Sequence, residues 1–504
     1  SVNEDDPECL LKYFSLTMLD QAALDQSVMV RKSATTTVET LLRLMPKNAK
    51  VHAAWIQAVL PAAVDCEQSV AEKALALIEK TLVDGISRWG KIAEKGVDCR
   101  KKDFFTHEVF MLISNNLRDE NMEYLARSVR LIAKPNGHRL PEEFTKTLNL
   151  MLAACLENKT GPKKEHSKQR KFEQWPMGIL AMMEEISSFH KEAIKPDLVV
   201  RAWDVLAKSV TGDDSAGGSS TLAAVIARRV LRIMRHVAPL VNQAKREELV
   251  ENLHSKLKDF QAPVALIFEM TSTLDVLTKL NKSDGNWSAD LVNQVHQVID
   301  DFCKSDVPDE DRMDERKFCR YLHMFGEIAL LGVKVPFVAQ THIQAIATNT
   351  VHWNGQRKNL NPDTRGHAFA CLGKMCLKDE KFAKRCVELL VLHLLDREHL
   401  IVRNNVLVVL NDLCVRYTGL VDRFVDKGMS DAVRAENPTL RKQALMVLSS
   451  LLSEDFIKFR GSVLFRFLWA ISDPQKDISS FVESVFRRIL VPRNNQMFSQ
   501  NFID

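Results

Sequence analysis

The chain repeats one short pattern near its C-terminus: Asn361-Pro-Asp-Thr-Arg365, His399-Leu-Ile-Val-Arg403 and Asn437-Pro-Thr-Leu-Arg441. The three arginines recur at equal intervals, and apolar residues at helical spacing follow each of them. One further interval of the same length reaches Ser479, where another apolar helical run begins without the arginine. The pattern therefore predicts a helix start that recurs once in every repeat.

The segments between these arginines have the same period. Val387, Val425 and Val463 recur at the interval that separates the arginines, so each unit contains another amphipathic helix, which comes first in the repeat and precedes the one that begins near the arginine. A single pair of such helices cannot bury its apolar stripes, but stacked pairs can. The interval matches the period of about 40 residues, with two helices, that is typical of HEAT and armadillo arrays. We predict an all-α protein, an α-solenoid of HEAT/armadillo-like helical repeats.

The pattern recurs near the N-terminus and weakens in the middle of the chain. Val30 and Val70 are separated by a similar interval, and each opens a helical run. Further helical patterns lie at 104–117, 121–133, 142–157, 176–190, 197–210, 221–238, 245–258, 263–280, 288–303, 313–331 and 336–349.

Two segments interrupt the helical patterns. Residues 159–171 have six basic residues against one Glu and predict a basic loop, and residues 211–220 predict a Gly/Ser loop. We therefore expect N-terminal HEAT repeats at 1–158, irregular HEAT-like helical pairs at 172–360, and C-terminal HEAT repeats at 361–504.

Length and composition limit the class of protein. A chain of 504 residues is too long for one compact core, and its net charge of +4 does not demand a nucleic-acid partner. The ten cysteines have no CxxC spacing, which favours buried reduced thiols in an intracellular compartment. The sequence has no uninterrupted run of about 18 apolar residues, which is the length that would predict a membrane span.

Motifs for catalysis are absent from the sequence. There is no P-loop, GxGxxG, HExxH or GxSxG signature. His393 and His399 lie near Asp396 and Glu398, but their spacing specifies no metal site. We expect a protein that is not an enzyme, with no catalytic residues, no cofactor, no metal and no small-molecule substrate.

The recurring arginines have two interpretations. At the start of the second helix of a repeat, Arg365, Arg403 and Arg441 are placed to pair with acidic side chains of a neighbouring unit. Contact with a partner is the alternative. The structural role is the one that we expect.

A row of arginines in the helix at 221–238 is the first candidate for DNA binding. Arg228, Arg232 and Arg235 lie at i, i+4 and i+7 on one face, and Arg229 flanks them. Ile226, Val230, Ile233 and Val237 form the opposite face. Unpaired arginines neutralise phosphates without reading sequence. The alternative is a solvated face, or salt bridges to acids of the next helix such as Glu247 and Glu248.

Two further basic clusters are candidates for the same role. The loop cluster consists of Lys163, Lys164, Lys168, Arg170 and Lys171. The C-terminal cluster consists of Arg441, Lys442, Lys458 and Arg460, of which the last three are the DNA-binding candidates.

The C-terminal repeats resemble one known family. The resemblance rests on Val402-Arg-Asn-Asn-Val406, Asp412-Leu-Cys-Val-Arg-Tyr-Thr418, Val421-Asp-Arg423, Arg441-Lys-Gln-Ala-Leu445, Phe459-Arg-Gly-Ser462 and Met497-Phe-Ser-Gln-Asn-Phe-Ile503. This stretch resembles the D-type HEAT-repeat subunit of condensin, a non-SMC subunit. The run Leu413-Cys-Val-Arg-Tyr-Thr418 and the ending Phe502-Ile-Asp504 are most like the condensin II version.

The resemblance implies a scaffold in a five-subunit complex. Its partners would be the kleisin subunit, the heads of the two SMC ATPases, the second HEAT subunit, and double-stranded DNA or chromatin. The subunit itself would hydrolyse nothing and would support mitotic chromosome condensation in the nucleus. Family members are longer, so we expect this chain to be a core segment. The kleisin-binding residues have no recognisable motif.

One other class of protein fits the periodicity. A transport or signalling HEAT adaptor, such as a karyopherin-like carrier or a phosphatase scaffold, has the same kind of repeat. The motifs at 402–418 favour condensin over this alternative.

Overall fold

The computed structural model describes residues 15–46, 48–94, 119–133, 140–160, 177–210, 217–260, 262–281, 287–304, 313–353, 355–394, 398–458, 460–491 and 496. In this part of the chain the fold is an α-solenoid of paired helices, as the sequence predicts. Contacts divide the chain into two units, 1–253 with 261–283 and 254–260 with 284–504. The boundaries predicted from composition stay a prediction.

The first unit contains the helices from the N-terminal and middle parts of the sequence. They are α1 Leu16–Ala22, α2 Val28–Leu44, α3 Ala49–Ala62, α4 Gln68–Ile78, α5 Asp84–Glu94, α6 Asp119–Ala133, α7 Glu142–Thr160, α8 Met177–Phe189, α9 Pro196–Ala207, α10 Gly217–Val237, most of α11 Gln243–Lys258, and α12 Val264–Asn281. Helix α10 begins at Gly217, so it includes the last four residues of the segment predicted as a Gly/Ser loop. The helix predicted at 104–117 lies outside the described residues.

The second unit contains the repeats with the clearest period. Its helices are α13 Trp287–Cys303, α14 Glu315–Leu330, α15 Phe337–Ala347, α16 Pro362–Lys378, α17 Glu380–Leu394, α18 Leu400–Arg416, α19 Thr418–Val421, α20 Pro438–Ser453, α21 Gly461–Ile471 and α22 Lys476–Val485. Between α19 and α20 the predicted first helix is broken into a 3₁₀ turn Asp422–Phe424, a π turn Val425–Met429 and a 3₁₀ turn Ser430–Arg434.

The repeated sequence pattern starts helices for a physical reason. Asn361 and Asn437 are the N-cap residues of α16 and α20, and their side chains accept bonds from the backbone N–H of Asp363 and Thr439. The proline that follows each asparagine occupies the first turn, where its missing N–H leaves no bond unmade. His399 caps α18 in the same way.

The arginine four residues after each cap connects consecutive repeats, which we call the inter-repeat clamp. Arg365 pairs with Glu398 at 3.0 Å, and Arg441 pairs with Asp473 at 2.7 Å. Each acid lies in the turn just before the second helix of the next repeat. Arg441 also donates to the carbonyl oxygens of Ala435 and Glu436. The predicted structural role is confirmed for these two arginines.

The same clamp occurs in the first unit, at the arginine that follows Val30 in the N-terminal copy of the pattern. Arg31 pairs with Asp65 at 2.8 Å and donates to the carbonyl oxygens of Asp25 and Gln26. Arg403 differs in that its Nε donates to the carbonyl of Leu394 at 3.0 Å.

Helices of the second unit lie in two layers. The first-helix layer consists of α13, α15, α17, the 422–434 segment and α21, and the second-helix layer consists of α14, α16, α18, α20 and α22. The equally spaced valines, Val387, Val425 and Val463, are each at most 1% exposed, so the first helices point them into the core between the layers.

Glycines allow close approach within the second-helix layer. A Cβ atom on Gly373 would lie 2.6 Å from both methyl carbons of Val409 on the neighbouring α18. A Cβ atom on Gly326 would lie 3.2 Å from the Cα of Cys371. Helices α14, α16 and α18 therefore pack at a distance that a side chain at these positions would increase.

One short hairpin interrupts the helices of the second unit. Strands β1 His352–Trp353 and β2 Gln356–Arg357 pair antiparallel, with Gly355 at φ +75° in the turn. The Trp353 indole donates to the carbonyl of Phe302 at 3.1 Å, which fixes the hairpin to α13. Among the described helices, none is both long and apolar enough to span a bilayer.

Candidate nucleic-acid interface

Helix α10 presents the predicted arginine row on the face opposite its core residues. Ile226, Val230, Ile233 and Val237 are fully buried, as predicted. This helix packs against its partner α9 and against α8 and α12, which lie on either side of it in one layer. The arginines therefore extend over the neighbouring helices and do not project directly into solvent.

Two carboxylates from the flanking helices lie between the arginines. Glu184 on α8 pairs with Arg229 at 2.7 Å and with Arg232 at 3.1 Å. Glu269 on α12 pairs with Arg232 at 2.6 Å and with Arg235 at 2.5 Å. The five side chains form an alternating sequence of charges across three helices, which we call the arginine–glutamate ladder.

The expectation of unpaired arginines is therefore wrong for Arg229, Arg232 and Arg235. The structure has the alternative of ion pairing, but the acids differ from those that the sequence suggested. Glu248 pairs with Lys245 on its own helix, and Glu247 accepts a bond from Gln243. The reason is topological, because α11 follows α10 in sequence whereas α8 and α12 are the helices beside it.

Burial and neighbouring charge act in opposite directions on the pKa of Arg232, the central arginine of the ladder. Burial alone would lower the pKa of Arg232, but the bonds and charges of Glu269 and Glu184 outweigh it and raise that pKa. Glu269 is 1% exposed, whereas the Arg232 side chain is 36% exposed. Arg232 is therefore the most exposed side chain of the ladder and Glu269 the most buried, whereas Glu184 is 19% exposed and lies level with Arg229 and Arg235.

Arg228 lies at the edge of this ladder. It is half-buried, and its Nε is buried without a hydrogen-bond partner. Four guanidinium groups therefore face two carboxylates in this part of α10, so the row keeps an excess of positive charge. DNA binding by Arg228, Arg229, Arg232 and Arg235 stays a prediction.

The other predicted cations have different surroundings. Lys163, Lys164, Lys168, Arg170 and Lys171 lie outside the described residues. Lys442 on α20 pairs with Asp477 of α22 at 2.8 Å. Arg460, before α21, pairs with Asp422 at 2.5 Å and with Asp426 at 2.7 Å, and Lys458 is exposed.

The C-terminal cluster is therefore divided between the two layers. Lys442 contacts the second-helix layer and Arg460 contacts the first-helix layer. Arg441 is buried in its clamp with Asp473. The role of Lys442, Lys458 and Arg460 in DNA binding stays a prediction.

Sequence reasoning missed the two acids of the ladder. Glu269 lies in an otherwise apolar part of α12, between Ile267 and Met270, which are buried. A carboxylate on the buried face of an amphipathic helix needs a cationic partner. The position of Glu269 on that buried face, about one repeat after the arginine row, was the signal that could have identified it as a partner of the arginines.

Two cysteines of the second unit are buried thiols, and one of its histidines lies beside a clamp carboxylate. Burial raises the pKa of the Cys319 thiol to about 11 and that of Cys371 to about 12, so both are protonated at neutral pH. His393 lies 2.7 Å from Glu398 of a clamp. Within the described ranges no cluster of three or more His, Cys, Asp and Glu side chains is placed to hold a metal ion.

Two family models match adjoining parts of the second unit. The family described as non-SMC mitotic condensation complex subunit 1 matches residues 401–504. The HEAT repeats of condensin-2 complex subunit D3-like proteins match residues 315–394. The first of these ranges contains all of the motifs on which the resemblance was based.

Similarity to the D3 proteins extends along almost the whole chain. The chain is 28% identical to condensin-2 complex subunit D3-L of Xenopus laevis over 97% of its own length and 32% of the relative. It is 26% identical to subunit D3 of Mus musculus over 92% of its length and 30% of the relative. Condensin complex subunit 1 of Homo sapiens matches 26% of the chain, at 30% identity, and 9% of that protein.

The expected resemblance to the D-type subunits, and to the condensin II version, is confirmed. The chain spans about a third of the length of these curated D3 relatives. Among solved structures, the C-terminal fragment of the Chaetomium thermophilum cohesin loader SCC2 has a similar fold, with a TM-score of 0.69 at 14% identity. That match covers 98% of this chain and 36% of the fragment.

Proposed function

We propose that this chain, similar to condensin-2 subunit D3 along nearly all of its length, is a non-catalytic HEAT-repeat scaffold of condensin II. The observation that carries the proposal is the 97% of the chain that the Xenopus relative covers. In this role it holds a kleisin segment, an SMC head and DNA together during mitotic chromosome condensation. The proposal places it in the nucleus, on chromosomes.

The repeat architecture supports a scaffold. Each described clamp fixes the start of a second helix to the turn before the next one, through a buried arginine. Repeats coupled only to their neighbours give an extended surface without a central cavity. An extended segment such as a kleisin binds such a surface through side-chain pockets, and it becomes ordered as it binds.

The arginine–glutamate ladder supports the DNA contact. Its cations outnumber its carboxylates, and the most exposed side chain along its edge is that of Arg232, at 36%. Such an edge binds phosphate without reading bases, and its affinity falls steeply with salt. Lys442 and Lys458 would add further phosphate contacts.

A pull-down separates the proposal from the adaptor alternative. The chain is immobilised and offered a fragment of the condensin II kleisin and, separately, a nuclear-import cargo. We expect retention of the kleisin fragment and no retention of the cargo. Retention of the cargo alone would favour a karyopherin-like carrier and would contradict the proposal.

A single substitution tests the DNA contact without dismantling the ladder. In Arg232→Gln, Glu184 keeps Arg229 and Glu269 keeps Arg235, so no carboxylate loses its last partner. We expect DNA affinity to fall. The slope of log affinity against log salt should become shallower, by the amount that corresponds to the loss of about one phosphate contact. Fluorescence anisotropy with a duplex at several salt concentrations measures both quantities.

The matched control is Arg201→Gln, which removes an exposed arginine on α9 of the same unit. This variant should leave both the affinity and the salt slope unchanged. Equal losses in the two variants would mean that net charge alone governs binding, and the ladder would then have no special role.

A further inference from the structure

The exposed stripe of α21 is aromatic where a surface helix is normally polar. Between Gly461 and Ile471 the exposed residues are Ser462, Phe465 and Trp469. Phe465 is 51% exposed and Trp469 is 46% exposed, and at i and i+4 they form one patch. By contrast, the exposed stripe of α17, in the same layer, has five charged residues and Leu392.

The two aromatic residues point away from the solenoid core. Val463 and Phe467, on the opposite side of α21, are fully buried. Arg466, on one flank, pairs with Asp431 of the preceding element at 2.5 Å. Leu468 and Ile471 lie on the other flank and are half-buried. A helix stacked on that flank would cover Leu468 and Ile471. Phe465 and Trp469 would remain exposed.

In the same layer as α21, the described side chains of α17 and the 422–434 segment include five exposed cations, against three exposed carboxylates, Glu380, Glu388 and Asp431. Arg423 lies next to α17, where it pairs with Glu388 at 3.3 Å on the surface. Arg434 and, on α17, Lys381 are exposed, and among the described residues neither is paired with a carboxylate. Exposed Arg385 lies over the Phe382 ring on the same helix. The outward side of the first-helix layer therefore combines an aromatic patch with unpaired cations.

We propose that this surface, formed by α17, the 422–434 segment and α21, docks an acidic amphipathic segment of another subunit of the complex. We call it the aromatic–basic surface. The partner's apolar side chains pack on Phe465 and Trp469, and its carboxylates face Lys381, Arg423 and Arg434. The inference rests on the proposed function, because the partner is a subunit of the same assembly.

Charge complementarity decides between the occupants. A second copy of this surface would bring two surfaces with an excess of cations together, which costs free energy on association, whereas an acidic segment would neutralise that excess. DNA would be attracted to the cations, but the outer surface of a duplex has no apolar pocket that buries two adjacent aromatic side chains. Aromatic and arginine side chains contribute most to protein interfaces when they lie in one cluster, as they do here.

Tiled peptides test the inference. Fluorescent short peptides covering the kleisin and SMC subunits of condensin II are titrated against the complete chain and followed by anisotropy. We expect the tightest peptide to be acidic with apolar residues at helical spacing. The double substitution Phe465→Ser with Trp469→Ser should weaken it by about tenfold or more. Lys381→Glu with Arg434→Glu should weaken it several-fold, more at low salt than at high salt.

Two control variants match these changes. Met446→Ser removes an apolar side chain that is 46% exposed on α20, in the opposite layer, and Arg201→Glu reverses an exposed charge in the first unit. Both should bind the peptide like the parent chain. Circular dichroism of all variants shows whether the helices are retained.

Three results would overturn the inference. They are a tightest peptide that is neutral or basic, an affinity that the Phe465 and Trp469 variant leaves unchanged, and a dimer of this chain that the same variant abolishes. If the kleisin still co-purifies, only the docking inference fails. If the kleisin does not co-purify, the proposed function fails instead.

Discussion

Glu269 is the residue on which the arginine–glutamate ladder depends. It is 1% exposed and accepts bonds from both Arg232 and Arg235. Removing it leaves two guanidinium groups without their shared acid, which costs less than in a dry core because both are partly exposed and solvent screens them. By bonding to Arg232 and Arg235, Glu269 also makes their guanidinium groups less available to a ligand in solvent.

The substitution Glu269→Gln therefore has two expected effects. The free energy of unfolding should fall by about 2 kcal/mol, because the arginines lose a charged acceptor. DNA affinity should rise, because Arg232 and Arg235 become available to phosphate. Urea denaturation and anisotropy with the same duplex measure the two effects. A destabilised variant with unchanged DNA affinity would remove the ladder from the DNA contact.

The inter-repeat clamps make stability depend on acidity. Burial would raise the pKa of Asp473, but Arg441 and the backbone N–H of Gln475 outweigh it and hold that pKa below its usual value. The pKa values of Asp65 and Glu398 are lowered in the same way, each by its arginine. A depressed carboxyl pKa stabilises the fold above the unfolded-state value and ceases to do so as the pH falls through the folded-state value.

Asp473→Asn should destabilise the fold by about 2–3 kcal/mol at neutral pH, because Arg441 is left buried without its carboxylate. The difference from the parent should shrink as the pH falls below about 4, where the carboxylate of the unfolded parent becomes protonated, and should go on shrinking until the pH has passed the lower folded-state pKa. Urea denaturation at a series of pH values measures this. The control Asp477→Asn, at an exposed pair, should change stability much less. A difference that persists unchanged in acid would contradict the clamp.

At the scale of one element, Gly373 sets the distance between α16 and α18. The substitution Gly373→Ala places a methyl group against both methyl carbons of Val409. Overpacking of this kind costs about 1–3 kcal/mol, which outweighs the gain of about 0.5–1 kcal/mol in helix propensity.

The compensating change is Val409→Ala, which removes the two methyl carbons. The double variant should be more stable than Gly373→Ala alone, and thermal unfolding of the four members of this cycle measures the coupling. Additive effects would mean that the helices separate freely at this point. The close approach would then not determine the packing.

Elements with a strong local signal were predictable. The Asn-Pro pattern gave the starts of α16 and α20 because capping is local, and the regular period gave the buried valines because it places them on one face. The broken 422–434 segment was not predictable from that period, since it shares the buried positions of a regular helix. The hairpin at 352–357 also lacked a signal.

At the scale of the whole molecule, the candidate site was less predictable than the fold. The row on α10 was visible in the sequence, but its partners lie on helices one repeat away in either direction. A period identifies which positions are equivalent, and it does not say which side chains meet across helices. The partners of such a scaffold depend on those surface details.

The most direct test of the scaffold role is a calorimetric titration of the chain with a segment of the condensin II kleisin. We predict one binding site per chain, a dissociation constant of about 1 μM or lower, and a negative heat-capacity change as the segment orders and buries apolar surface. Absence of binding heat at several temperatures, together with binding of a nuclear-import cargo under the same conditions, would contradict the account.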